Sequence, residues 1–120
     1  MQMQQSGGKV EQSGLWTVTS APWLATTATR TTLTPSASSQ TLLAANTGRM
    51  GARIIIQTAD TTQRFFIKAG SNATVSDFCM VCVGAGEHEL FDGLTWPYTG
   101  LYSIISTGTT GAIQVVELTA

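Results

Sequence analysis

The chain has 120 residues, six basic and seven acidic, and only 11% of it is charged, against roughly a quarter in an ordinary soluble domain. That length supports one domain with a single core. The composition argues against a nucleic-acid binder, since the basic residues form no Lys/Arg cluster. It also argues against a membrane helix: mean hydropathy is +0.14, but no run nears the ~18 consecutive apolar residues a span requires.

Residues 1–25 form a unit of their own. The first fourteen, MQMQQSGGKVEQSG, are dominated by Gln, Ser and Gly and contain no apolar core of a secretory signal. The expectation is therefore a cytosolic chain without a structural disulfide, in which Asn72–Ala73–Thr74 is a turn and not a glycosylation site. Leu15, Trp16, Val18, Trp23 and Leu24 then gather around Pro22. One reading is an extended arm whose tryptophans anchor on a neighbour, because Trp is enriched at binding hot spots. The other makes Leu15–Thr19 a first strand that packs Trp16 into its own core.

Residues 26–120 read as strands separated by turns. Thr26–Leu33 is rich in β-branched Thr, which favours strands. Pro35 and the turn 36–39 precede the short apolar Thr41–Ala45, which ends at Asn46–Thr47–Gly48. Arg53–Thr58 has Ile54, Ile55 and Ile56 at its centre; Arg64–Lys68 and Phe78–Val83 follow. The last third supplies His88–Phe91, Leu101–Ser106 and Ala112–Leu118, bounded by Asp92–Gly93, Gly100, Gly108 and Gly111, and this pattern predicts an antiparallel meander. No segment gathers helix formers at a 3.6-residue period. The expected fold is all-β: an antiparallel sandwich of about eight strands behind an extended N-terminal arm.

Several strands are apolar on both faces. Ile54–Ile56, Phe65–Ile67 and Cys79–Val83 offer no polar side, and in the last strand Ile113 and Val115 face one way while Val116 and Leu118 face the other. One small sandwich cannot cover all of this, so an interface with a partner or with further copies is expected. All six basic residues lie within positions 1–68, while Asp77, Glu87, Glu89, Asp92 and Glu117 lie later. Either the two halves interleave and mix these charges, or the molecule has a basic and an acidic face suited to docking.

Candidate chemistry is sparse. Cys79 and Cys82 have C-x-x-C spacing, but in a strand positions three apart point to opposite faces, whereas redox and zinc pairs need a helix start or a tight knuckle. Glu87, His88 and Glu89 form a titratable trio in which the carboxylates share one face and the imidazole takes the other. Gly84–Ala85–Gly86 does not open a helix and so is no phosphate loop. The sequence thus predicts no catalytic residue, no cofactor and no metal.

Three segments together resemble the small β-sandwich virion proteins of tailed bacteriophages: TTATRTTLTPSASSQTLLAANTGRMGARIIIQ (26–57), GAGEHELFDG (84–93) and YTGLYSIISTGTTGAIQVVEL (98–118). Ala85 stands where members of that group place a proline before glycine. The resemblance implies a jelly-roll-like fold and a capsid decoration (cement) role on the outer capsid surface, with the major capsid protein as partner, assembled in the host cytoplasm. A homo-oligomer, dimer or trimer, is expected, with neither nucleic acid nor membrane as partner. Leu15, Trp16, Trp23 and Leu24 are the candidate partner-binding residues. The alternative is a tail-fibre or baseplate module binding a receptor or glycan, with Trp96–Pro97–Tyr98 as its aromatic platform.

Overall fold

The computed structural model describes residues 25–94 and 96–120. Among them are eight strands and no helix: β1 (Thr27–Leu33), β2 (Gln40–Leu43), β3 (Arg49–Gln57), β4 (Arg64–Ala69), β5 (Met80–Val83), β6 (Gly86–Glu89), β7 (Tyr102–Ser106) and β8 (Ala112–Thr119). They form two four-stranded antiparallel sheets, in the orders β1-β8-β3-β6 and β2-β7-β4-β5.

The expected C-terminal meander is not what forms. β6 pairs with β3, β7 with β2 and β4, and β8 with β1 and β3. The links 90–101 and 107–111 are longer than a two-residue hairpin, long enough to carry the chain across the roughly 10 Å between packed sheets. Glycine and Asp-Gly signals mark where a strand stops; they carry no information about which sheet the next strand joins.

One core joins the layers. Ile54, Ile56, Ile113 and Val115 enter it from the first sheet, and Phe65, Ile67, Tyr102 and Ile104 from the second, all at 2% exposure or less. Alternation along β3 and β8 puts every second residue inward, so Ile55, Val116 and Leu118 stay outside and half-buried. On the outer face of β4, Phe66 is buried because Phe78 packs edge-on at 4.9 Å. β1 behaves differently: all its residues but Leu33 are exposed, on both faces, and only β8 holds it.

A buried glutamine organises the connections at one end. Gln63 Nε2 donates to Ser106 Oγ at 2.9 Å and to Gly108 O at 3.0 Å, while its Oε1 accepts from Thr58 Oγ1 at 3.0 Å. With its amide satisfied on both sides, its burial carries little penalty. Beside it, Gly111 has φ +90°, and a β-carbon there would fall on the Gln57 carbonyl. Gly111→Ala combines left-handed strain with that clash. We expect it to lower unfolding free energy by about 2 kcal/mol or more, read by urea denaturation; an unchanged midpoint would refute the account.

Candidate functional site

Arg49 is the most enclosed charge among the described residues, with its side chain only 1% exposed. A bulge at Arg49/Gly51 between β3 and β8 turns it inward. Nε donates to Glu117 Oε2 at 2.8 Å; Nη1 donates to Tyr98 O at 2.9 Å and Gly100 O at 2.8 Å; Nη2 donates to Ala44 O at 2.6 Å. The guanidinium also lies over the Tyr102 ring at 5.7 Å. Asn46 completes the cluster, giving Nδ2 to Glu117 Oε1 at 3.2 Å and its backbone N–H to Thr99 O at 2.8 Å. Four of the five guanidinium donors are thus used, and they tie the β2–β3 turn, the approach to β7 and the end of β8 together. These bonds all join groups of the fold, and the cluster positions the three segments against one another. Burial pushes the Tyr102 hydroxyl well above its ordinary pKa, and that hydroxyl has no hydrogen-bond partner.

The cysteines separate, but not within one strand: Cys79 lies in the bend before β5, and Cys82 lies inside β5. Cys79 is exposed and Cys82 is in the core, both free thiols. Burial raises the Cys79 pKa, partly offset by backbone hydrogen bonds, and pushes Cys82 up to about 11. Neither has the lowered pKa of a redox or metal-binding thiol. In the titratable trio, Glu89 accepts from Arg53 Nη2 at 2.9 Å and Glu87 lies 3.7 Å from Nη1, on the outer face. That hydrogen bond and the charge of Glu89 raise the Arg53 pKa. His88 takes the other face, half-buried opposite Ile54. Among the described residues no group of three or more His, Cys, Asp or Glu converges to hold a metal ion.

What the surface does present is apolar area in one region. The exposed large hydrophobics among the described residues are Val75, Phe78, Val81, Val83, Phe91, Leu94 and Trp96, all from the stretches 75–83 and 91–96. Cys79 Sγ donates to Phe91 O at 3.6 Å, which joins the two stretches. β5 and β6 are the outer strands of their sheets on the same side, linked through 84–85. Leu94 is 89% exposed, Val75 59%, Val83 56% and Val81 47%. Lone exposed apolar residues are ordinary, but this many on two joined stretches make a candidate interaction surface.

The loop 90–101 alters the expected aromatic platform. Trp96 pairs edge-on with Phe91 at 6.2 Å and remains 39% exposed. Tyr98 instead packs on Tyr102 at 5.0 Å and lies against the core. The exposed aromatic pair is therefore Phe91 and Trp96, not Trp96 with Tyr98. Leu15, Trp16, Trp23 and Leu24 lie outside the described residues. Val75 and Leu94 escaped the sequence reading because each is a single apolar residue in a polar loop; their one signal is a position beside turn residues (Ser76–Asp77 and Asp92–Gly93), where no strand can bury them.

Compared with protein-family models, with curated proteins and with solved structures, the chain matches none.

The Arg49 cluster yields a direct test. Arg49→Met leaves Glu117, 15% exposed, without its cation and takes the guanidinium donor from the carbonyls of Ala44, Tyr98 and Gly100. Loss of about 3 kcal/mol in chemical denaturation is expected; a loss below about 1 kcal/mol would mean that the cluster behaves as a surface ion pair.

Proposed function

We propose that this chain is a capsid decoration (cement) protein of a tailed bacteriophage, acting on the outer shell without catalysis. It binds across joints between major capsid subunits as a homo-oligomer, a dimer or trimer. The observation that carries the reading is the apolar surface at 75–83 and 91–96 on a chain with so few charges. Its burial against the shell supplies ~25 cal/mol per Å², less the costs of ordering. Rupture of the shell must then break many such contacts together. Leu15, Trp16, Trp23 and Leu24, which precede β1 in the chain, serve as a second attachment.

The strand order supports a jelly roll as the finer description of the fold. The chain changes sheet at every connection except β4–β5, the winding that folds two Greek keys over one another in an eight-stranded double sheet. The three sequence segments that resemble tailed-phage virion proteins point the same way.

The direct test is the composition of purified virions: the chain should accompany intact heads at a copy number comparable to the major capsid protein. In reconstitution, Leu94→Asp should weaken binding to undecorated heads by more than about tenfold with unchanged thermal stability, because Leu94 packs on little of its own fold. Deleting 1–24 should leave a folded sandwich that no longer binds. Absence from heads, or full binding by both variants, overturns the reading.

A second reading has its own observation. The Phe91–Trp96 pair is a partly exposed aromatic surface of the kind that stacks on sugar rings, which would suit a receptor- or glycan-binding module of a tail fibre or baseplate. Glycan-array signal abolished by Trp96→Ala favours that role; a blank array with the wild-type chain removes it.

A further inference from the structure

The outer face of the first sheet carries a cross-strand pattern that neither the core nor the apolar side uses. In register across the four strands run Arg30–Val116–Arg53–Glu89, with Thr32–Gln114–Ile55–Glu87 beside it. On the other side of the first row, Leu118 sits between Ala28 and Gly51. Over these residues lies a groove of about 300 Å³. Arg53 is engaged by Glu89 and Glu87, whereas Arg30 has no ion pair among the described residues. At ~4.8 Å per strand it stands about 14 Å from the acidic strand, so its own row of the sheet cannot supply a carboxylate. The face therefore has a basic edge on β1, an acidic edge on β6, and Val116, Leu118 and Ile55 between them.

We propose that this face binds a second copy of itself, about a two-fold axis lying in the interface and parallel to the strands. The inference rests on the oligomeric part of the proposed function and is independent of the capsid part. That axis lays β1 of one copy over β6 of the other, so Arg30 meets the partner's Glu87 and Glu89, and the contact occurs twice. β8 then lies over the partner's β3. Leu118 faces the partner's Gly51, which carries no side chain, and Val116 packs on the aliphatic stem of the partner's Arg53. The alternative in-plane axis, across the strands, sets Arg30 against Arg30 and carboxylate against carboxylate. Charge thus selects one of the two symmetric arrangements. Four strands of about seven residues project to roughly 400 Å² per copy, about 800 Å² in total and below the ~1,000 Å² that a stable interface clears. The dimer is accordingly weak, reversible and sensitive to salt.

Sedimentation velocity on the full chain, over a wide concentration range in low and high salt, tests this. The expected result is a reversible monomer–dimer equilibrium that weakens with salt. Arg30→Glu, at an exposed site with no ion pair among the described residues, should raise the dissociation constant more than about tenfold without loss of folding. The double variant R30E/E87R, which exchanges the two charges, should restore dimerisation. A wild-type chain that stays monomeric at every concentration, or forms a trimer or ring, overturns the proposal. A dimer indifferent to Arg30→Glu also overturns it, while leaving the oligomer reading in place through another surface. Dimerisation intact in a chain that binds no heads counts against the capsid reading alone.

Discussion

Arg49 is a full positive charge sealed from water in a fold with few charges, and the arrangement of the second half of the chain depends on how it is held. Removing a guanidinium from water costs several kcal/mol unless its donors are met, and here they are met by Glu117 and the carbonyls of Ala44, Tyr98 and Gly100. Those acceptors belong to the β2–β3 turn, the loop before β7 and the last turn of pairing on β8. None could move independently without leaving the guanidinium short of partners. The long 90–101 loop is held at its start by buried Leu90, whose N–H donates to Ala52 O, and near its end by this cation and by Tyr98 on Tyr102.

Anchoring that end has consequences for the rest of the loop. With Tyr98 drawn inward, Phe91, Leu94 and Trp96 are carried outward on the part of the loop that Arg49 does not hold. They join Val75, Phe78, Val81 and Val83 on the side of the sandwich where β5 and β6 end their sheets. Buried charge and exposed apolar surface are thus two results of the same loop path. A chain poor in Lys and Glu has little else with which to cover an edge, which makes that side suited to contact with another protein.

The strand pattern was legible to a large extent. Eight strand-like runs were separable because Gly, Pro and Asp-Gly break the chain near most strand ends, but Cys79 was expected inside a strand that begins only at Met80. The start of β3 was not legible. Arg49, Met50, Gly51 and Ala52 fall between the expected turn at Asn46–Thr47–Gly48 and the expected strand Arg53–Thr58, yet all four belong to β3 and are buried, because the bulge and the carbonyl cage make an interior arginine tolerable. The meander also misled, since turn chemistry is local and sheet membership is not. The apolar outer faces were anticipated at Val116 and Leu118, but the exposed aromatic pair was assigned to the wrong partner residue.

By itself, the sequence determined the all-β class, the approximate limits of the strands and the presence of apolar residues on both faces of several of them. These properties follow from residue type and a two-residue period, which are local. Only the tertiary structure decided which strands share a sheet, that Arg49 and Glu117 meet across 68 positions, and that Arg30 and Glu89 stand at opposite edges of one face. Each of these depends on contacts between distant segments, where burial and register choose among pairings that the local pattern leaves equivalent.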